Sequence, residues 1–373
     1  MTNKRLYFII NERKGDIDMI ESPKDSVLQE DLEYVANSNI PLDELSGKTI
    51  LVTGATGLIG SQVVKALLCC NRLKQANITI VCLVRSKEKV ESVFGELASD
   101  SMIKFVYGDI TENIEVDMDI DYIIHGACNT TSKFFVTKPV ETIQITLKGM
   151  ENMLELAKEK QVKGMVYMSS MEAFGLTDPH LDRVTEKDLG YIDILNIRSC
   201  YSEGKRMCEC MCACYASEYE VPVKIARLSQ TFGAGISYSE NRVFAQFAKS
   251  AMNNEDIVLH TEGKSVGNYT YTRDTVIALL ILLTKGINGE AYTVANEESN
   301  STIRNMALMV ANEIADGKIK VIFDIPEDAK TYGYAPDANM KLSSQKMQSL
   351  GWKPVIGLKE SYLRMMKSME NTR

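Results

Sequence analysis

The stretch Lys48-Thr-Ile-Leu-Val-Thr-Gly-Ala-Thr-Gly-Leu-Ile-Gly60 leaves this chain little choice of fold. An apolar strand runs straight into a turn built on Gly54, Gly57 and Gly60. Val63, Val64, Leu67 and Leu68 then recur at helical spacing. In a strand–turn–helix setting, glycines let the backbone approach a ligand with no Cβ in the way, and the first free N–H groups of the helix face an anion. The spacing is GxxGxxG, one residue off the GxGxxG of ordinary dinucleotide folds. Gly54, Thr56, Gly57, Leu58, Ile59 and Gly60 are the candidate contacts to a dinucleotide.

From Lys48 onward short apolar runs alternate with helical patterns. Strands are expected at Thr49–Val52, Ile78–Val84, Met102–Tyr107, Tyr122–His125, Gly164–Met168 and Val223–Leu228. Helices are expected between them, notably Gly60–Cys70, Val140–Lys160 and Cys200–Tyr219. The alternation predicts an α/β fold, a doubly wound parallel sheet covered on both faces, with a cofactor across the carboxyl ends of its strands. After Gly235 the regularity weakens, with helical patterns at Asn241–Asn253, Arg273–Lys285 and Thr302–Ala315 and a strand at Ala291–Val294. Residues 1–47 form an arm with a helix around Ser26–Asn37. Its Val27, Leu28, Leu32 and Val35 call for a partner, and packing on its own neighbouring domain is preferred to contact with another subunit.

Far downstream stands Tyr201-Ser-Glu-Gly-Lys205. Four residues apart, the phenol and the ammonium share one helix face. A free phenol, with a pKa of about 10, is a poor base at neutral pH. A neighbouring ammonium and a cationic nicotinamide favour phenolate and turn the tyrosine into a proton carrier.

Together the glycine turn and the Tyr-x-x-x-Lys pair resemble the extended branch of the short-chain dehydrogenase/reductase superfamily, whose members mostly act on nucleotide-activated sugars. The resemblance runs from about Lys48 to about Met369. It implies a Rossmann domain over 48–235 and, over 236–373, mainly a smaller C-terminal substrate lobe with some return to the Rossmann domain. Tyr167-Met-Ser-Ser-Met-Glu-Ala-Phe-Gly175 looks like the family's strand-end motif, and Ile225-Ala-Arg-Leu-Ser-Gln-Thr-Phe-Gly233 matches the segment after the catalytic helix. The implied catalytic trio is Ser170, Tyr201 and Lys205, the lysine also holding the nicotinamide ribose. Asp109, with Ile110 beside it, resembles the adenine-contacting aspartate. His125-Gly-Ala-Cys128 matches a strand end whose small residues, Ala127 among them, admit the cofactor. Thr130, Ser132 and Gln230 are implied substrate contacts.

Several positions depart from the family's pattern. Glu172 falls where dehydratases and decarboxylases keep a functional glutamate, but dehydratases carry an aspartate general acid where this chain has Met171. A thioether donates no proton, so 4,6-dehydration is disfavoured. Gln230 replaces a usual Asn, Thr146 another, and Gly267 stands where an Arg commonly clamps the diphosphate, with Arg273 as a candidate replacement. The second strand ends in Cys82-Leu-Val-Arg-Ser-Lys87, with Arg85 suited to a 2′-phosphate and no acid placed for a 2′-hydroxyl. The cofactor expected is NADP in preference to NAD. The leading expectation is an NAD(P)-dependent reductase of a keto group on a nucleotide sugar. The alternatives are an epimerase or decarboxylase with retained NAD, and, from another class, a non-catalytic dinucleotide-binding regulator.

A net charge of −8 and a pI near 5.2 argue against nucleic-acid binding. The apolar patch in Met1–Ile10 is too short for a secretory signal, and no apolar run spans a bilayer, so no membrane partner and a cytoplasmic location are expected. Nine cysteines include Cys208, Cys210, Cys212 and Cys214 on one helix, where they read as small apolar packing residues. With three scattered histidines, no metal site is expected. The resemblance implies a homodimer through the helices of Val140–Lys160 and Cys200–Tyr219, to which Met150, Met153, Leu154, Met207, Met211 and Tyr215 are the candidate contributors.

Overall fold

The structure, a computed structural model, describes residues 20–325 and 339–373. The arm supplies α1 (Ser26–Asn37) and a single turn, α2 (Leu42–Leu45). There follow β1 (Thr49–Thr53), α3 (Leu58–Lys74), β2 (Thr79–Val84), α4 (Lys87–Phe94), β3 (Ile103–Tyr107), β4 (Tyr122–His125) and α5 (Ser132–Thr137). The chain continues through α6 (Pro139–Glu159), β5 (Gly164–Ser170), α7 (Ser199–Tyr219), β6 (Val223–Leu228), β7 (Gln230–Phe232), α8 (Val243–Asn253), β8 (Ile257–Leu259) and β9 (Val266–Tyr271). It closes with α9 (Thr272–Thr284), β10 (Ala291–Val294), β11 (Asn300–Thr302), α10 (Ile303–Met309), β12 (Val321–Phe323), α11 (Gln345–Gln348) and α12 (Leu358–Thr372).

Seven strands lie in the order β10-β6-β5-β4-β1-β2-β3, every pairing parallel. Ile50, Leu51 and Val52 are fully buried, because an unbroken apolar run suits a strand covered on both faces. α1, α3 and α9 cover one face, and α6 and α7 the other. The chain order reverses between β1 and β4, whose carboxyl ends, Thr53 and His125, open the crevice where a doubly wound sheet takes its ligand. The small sheets β11-β9-β7 and β12-β8 build a lobe with α8 and α10 around Phe232, Phe244, Phe247 and Tyr362.

The C-terminal third is divided between the lobe and the seven-stranded sheet. α9 is buried along nearly its whole length against β4, β5 and β6, and β10 joins the seven-stranded sheet, so 272–294 belongs to the Rossmann layers. The helix expected over Thr302–Ala315 is α10 followed by a π-helical turn, Val310–Ile314. α12, which the sequence reading did not single out, packs on α1. Asp25 caps α1 by accepting from the N–H groups of Val27 and Leu28, and Val27, Leu28, Leu32 and Val35 are buried in the chain's own core.

Met150, Met153 and Leu154 are fully buried between α6 and the sheet. They are unavailable to a partner subunit, which corrects the expectation above. The outer surfaces of α6 and α7 instead expose Val140, Ile143 and Met207. Met1–Ile10 lies outside the described residues. No helix among the described residues is long and apolar enough to cross a membrane.

Candidate active site

The β1–α3 turn is close-packed at two of its glycines, the tight backbone a dinucleotide cradle needs. Gly54 has φ +69°, and a Cβ on it would stand 2.8 Å from the backbone of Gly126. A Cβ on Gly60 would stand 2.2 Å from the Gly54 carbonyl oxygen. Gly57 precedes α3 and offers no side chain to cap it, which leaves first-turn N–H groups available to a phosphate. Gly54, Gly57, Leu58, Ile59 and Gly60 line the cleft, whereas Thr56 sits half-buried in the same turn without lining it.

One hydroxyl ties this turn to β4. Thr53 Oγ1 accepts from the N–H groups of Gly126 and Ala127, both at 3.1 Å, and lies 2.7 Å from His125 Nδ1. With its acceptor capacity engaged, the hydroxyl donates its one proton to Nδ1, which places the imidazole proton on Nε2. Burial, reinforced by the nearby Lys205 ammonium, pushes His125 down to about 3 and keeps it neutral. Ala127 therefore holds the turn through its backbone, while Gly126 and Cys128 on either side line the cleft.

The opposite wall is the end of β5 and the first turns of α7. Ser170 Oγ accepts from the Glu172 N–H at 3.2 Å, leaving its own proton for an oxygen in the cleft. Tyr201 is 6% exposed, its ring stacked on Phe135 with centroids 4.3 Å apart, and it still lines the cleft with Ser170 and Glu172. Burial raises its phenol, Cys128 and Glu172 add to that, and a hydrogen bond with Ser170 and the Arg198 charge oppose it. Lys205 is buried, donates to the Met168 carbonyl at 2.8 Å, and sits 5.7 Å from the Tyr201 ring centroid. Glu172 accepts from Arg198 Nη1 and Nη2 at 3.0 and 3.2 Å and from Ser202 Oγ at 3.2 Å.

Ser170, Glu172, Tyr201, Lys205, Thr130, Ser132 and Gln230 thus surround one cleft. Arg85 and Asp109 lie outside its walls, at the ends of β2 and β3, with Arg85 largely exposed and 3.9 Å from Asp109. Hydrogen bonds from the Thr111 N–H and hydroxyl hold the Asp109 carboxyl below its ordinary range. Ile110 is buried beneath Gly149, where it packs. Arg273 is displaced furthest from expectation. It is 5% exposed, pairs with Asp31 of α1 at 3.3 Å and lies 3.8 Å over the Tyr34 ring. It anchors the arm and cannot clamp a substrate. Sequence reasoning missed Arg242, a cleft residue at the N-terminus of α8, as well as Phe135 and Arg198, while Cys128 closes the strand-end stretch it did single out. Only the position of Arg242 just ahead of an amphipathic helix hinted at it. Among the described residues no cluster of three or more His, Cys, Asp or Glu could hold a metal ion, and all nine cysteines are free.

Comparison with known proteins agrees with this fold. Residues 50–295 match the model of the NAD dependent epimerase/dehydratase family. The chain is 29% identical over 316 residues to UDP-glucuronic acid decarboxylase 6 of Arabidopsis thaliana, covering 84% of this chain and 87% of that protein. Two solved structures share the fold: UDP-glucose 4-epimerase of Thermotoga maritima with UDP-glucose (TM-score 0.71, 20% identity, 87% of this chain, 99% of that one), and UDP-glucuronic acid 4-epimerase of Bacillus cereus in complex with UDP-glucuronic acid and NAD (TM-score 0.71, 20% identity, 87% and 100%).

Proposed function

This chain belongs to the NAD dependent epimerase/dehydratase family, and we propose that it is a decarboxylase of a UDP-linked hexuronic acid that works through a closed redox cycle on retained NAD. The observation that carries the proposal is Glu172, an anionic acceptor held by three donors at the cleft beside Ser170 and Tyr201. The curated decarboxylase relative supports it. The net keto reduction expected from sequence gives way to this cycle.

The glycine turn and the free N–H groups of α3 would hold the pyrophosphate of NAD, and Lys205 its nicotinamide ribose. NAD, when bound, would supply a reversible hydride acceptor for the sugar C4, with no net consumption. Tyr201 takes the C4 hydroxyl proton, with Ser170 donating to the same oxygen. CO2 then leaves from C5, and the electron pair it leaves behind is delocalised onto the C4 oxygen, where Ser170 and protonated Tyr201 stabilise it. Glu172 orders the hydroxyl or water on the C5 side, the source of the proton that replaces CO2. Tyr201 finally returns its proton to the C4 oxygen. Met171 supplies no acid, so the sequence proceeds without dehydration.

An Arg at Gly267 is absent, and the space beside that residue is open within 4 Å. Arg242 is the cleft guanidinium we assign to the diphosphate, with Gln230 nearby. NAD replaces NADP as the proposed cofactor, since Arg85 already faces the ionised Asp109. We also propose a two-fold dimer through α6 and α7 that covers Val140, Ile143 and Met207. Sedimentation as a monomer at micromolar concentration would overturn that assembly. The activity is tested by supplying UDP-glucuronic acid and NAD⁺ and following product mass and reduced-cofactor absorbance. A UDP-pentose with no net cofactor change is expected. A product that keeps its carboxylate, inverted at C4, would place the chain with the epimerases instead.

A further inference from the structure

The first turn of α7 grips Glu172 from both sides of Tyr201. Arg198 stands three residues before the tyrosine and Ser202 one after it. Arg198 meets the carboxylate as a two-pronged fork, 3.0 Å from Oε2 and 3.2 Å from Oε1, and Ser202 adds a third donor at 3.2 Å. The same guanidinium lies 5.9 Å over the ring of Phe135, which also stacks on Tyr201. Carboxylate, guanidinium, phenyl ring and catalytic phenol thus form one connected unit. Glu172 and Tyr201 line the cleft; Arg198 stands behind them.

A purely structural purpose for this pair is weakly supported. Its side chains are 28% and 26% exposed, so the pair lies at the edge of the cleft and not in the core. The placement matters more for charge. The groups facing Tyr201 are Cys128 after β4, Glu172 after β5, and Arg198 and Lys205 on its own helix. An unpaired carboxylate beside a phenol opposes phenolate, and a guanidinium bound to that carboxylate cancels most of the opposition.

We propose that Arg198 is a positioning residue of this active site: it fixes the Glu172 carboxylate against the first turn of α7 and neutralises its field at the Tyr201 hydroxyl. The proposal rests on Tyr201 as the proton carrier but not on the identity of the sugar. Ser202 alone, a neutral donor to one oxygen, cannot replace the fork. Lysine keeps the charge but not the two-pronged geometry.

The test compares Arg198→Met, Arg198→Lys and the double variant Arg198→Met/Glu172→Gln. Tyr201 ionisation is read without substrate, in the NAD-loaded protein, as the tyrosinate absorbance that disappears when Tyr201→Phe is added to each background. Arg198→Met is expected to move that titration upward by about one pH unit. Arg198→Lys should recover part of the shift, and the double variant nearly all of it. Once a substrate is in hand, kcat at neutral pH should fall roughly tenfold in Arg198→Met, following the lost phenolate fraction, with KM within about twofold. An unmoved titration in Arg198→Met overturns the proposal, as does a double variant displaced as far as the single one. Because the absorbance needs no sugar, a wrong substrate assignment leaves this result intact.

Discussion

Glu209→Gln should destabilise the protein more than any comparable change of one charge on its surface. Glu209 lies on α7, and its carboxylate accepts from Arg227 Nε at 3.1 Å to each oxygen, from Arg227 Nη2 at 2.7 Å and from Ser169 Oγ at 2.5 Å. The two charged side chains are 9% and 6% exposed, so water compensates neither. Arg227 is held further by the Glu186 carbonyl at 2.9 Å and by the Phe174 ring 4.8 Å below it. Breaking a buried pair by neutralising one partner costs about 3–5 kcal/mol, because the remaining charge stays buried. Glutamine keeps the shape and one acceptor, which puts the loss near the lower end. At roughly 2 °C per kcal/mol for a chain of this size, Tm falls by about 6 °C. The network also holds Ser169, the neighbour of Ser170, so kcat should fall more than the folded fraction alone explains. Urea and thermal unfolding of wild type, Glu209→Gln and Glu209→Met/Arg227→Met measure this directly. The double variant, which buries no charge, should recover most of the loss. A single-variant cost under about 1 kcal/mol, or a double variant worse than the single, would refute the reasoning.

Three further outcomes follow from other parts of the molecule. His125 titrates near 3 when folded and near 6.5 when unfolded, so its contribution is fully present above about pH 6.5 and is lost as pH falls toward 3. His125→Gln, which keeps an acceptor for Thr53, should flatten that acid limb; an unchanged wild-type slope in denaturant titrations from pH 7 to 4 would count against it. Gly60→Ala drives a Cβ into the Gly54 carbonyl and should weaken NAD binding by at least about 100-fold in calorimetry, and wild-type affinity would contradict the cradle. Arg85→Asp, at a side chain 73% exposed, should leave NAD affinity within about threefold of wild type, and NADP binding tighter than NAD in the wild-type protein would reverse the cofactor assignment.

The Rossmann half was legible because its signals are local. Ile50–Val52 can only be a doubly buried strand, and Tyr201 and Lys205 share a face by helical arithmetic alone. What escaped depended on contacts distant in sequence. Arg273 sits beside Asp274 and looks like a solvated or phosphate-binding cation, yet it also pairs with Asp31, on a helix that precedes the Rossmann domain. Asp31 is pushed up to about 6 by burial, against the pull of Tyr271, Arg364 and Arg273, and no pattern in residues 26–37 announces that environment. On α6, Met150 and Val140 are equally apolar in sequence. The side of the helix that meets the sheet decides that one is core and the other surface. Arg242 enters the cleft because the lobe folds back over it, a fact of topology rather than of spacing. In the same way the fork between Arg198 and Glu172 joins the turn after β5 to the start of α7.

The central claim is a closed redox cycle driven by proton transfer at Tyr201, and isotopic labelling reads it most directly. UDP-glucuronic acid deuterated at C4 should be converted, with unlabelled NAD⁺, into a UDP-pentose that keeps its deuterium at C4. In heavy water, solvent deuterium should enter at C5 alone, where it replaces CO2. Tyr201→Phe should lower the yield of that labelled product by at least about 100-fold while NAD affinity holds. Deuterium found in the released cofactor pool, or a Tyr201→Phe variant that forms the pentose at the wild-type rate, would contradict the account.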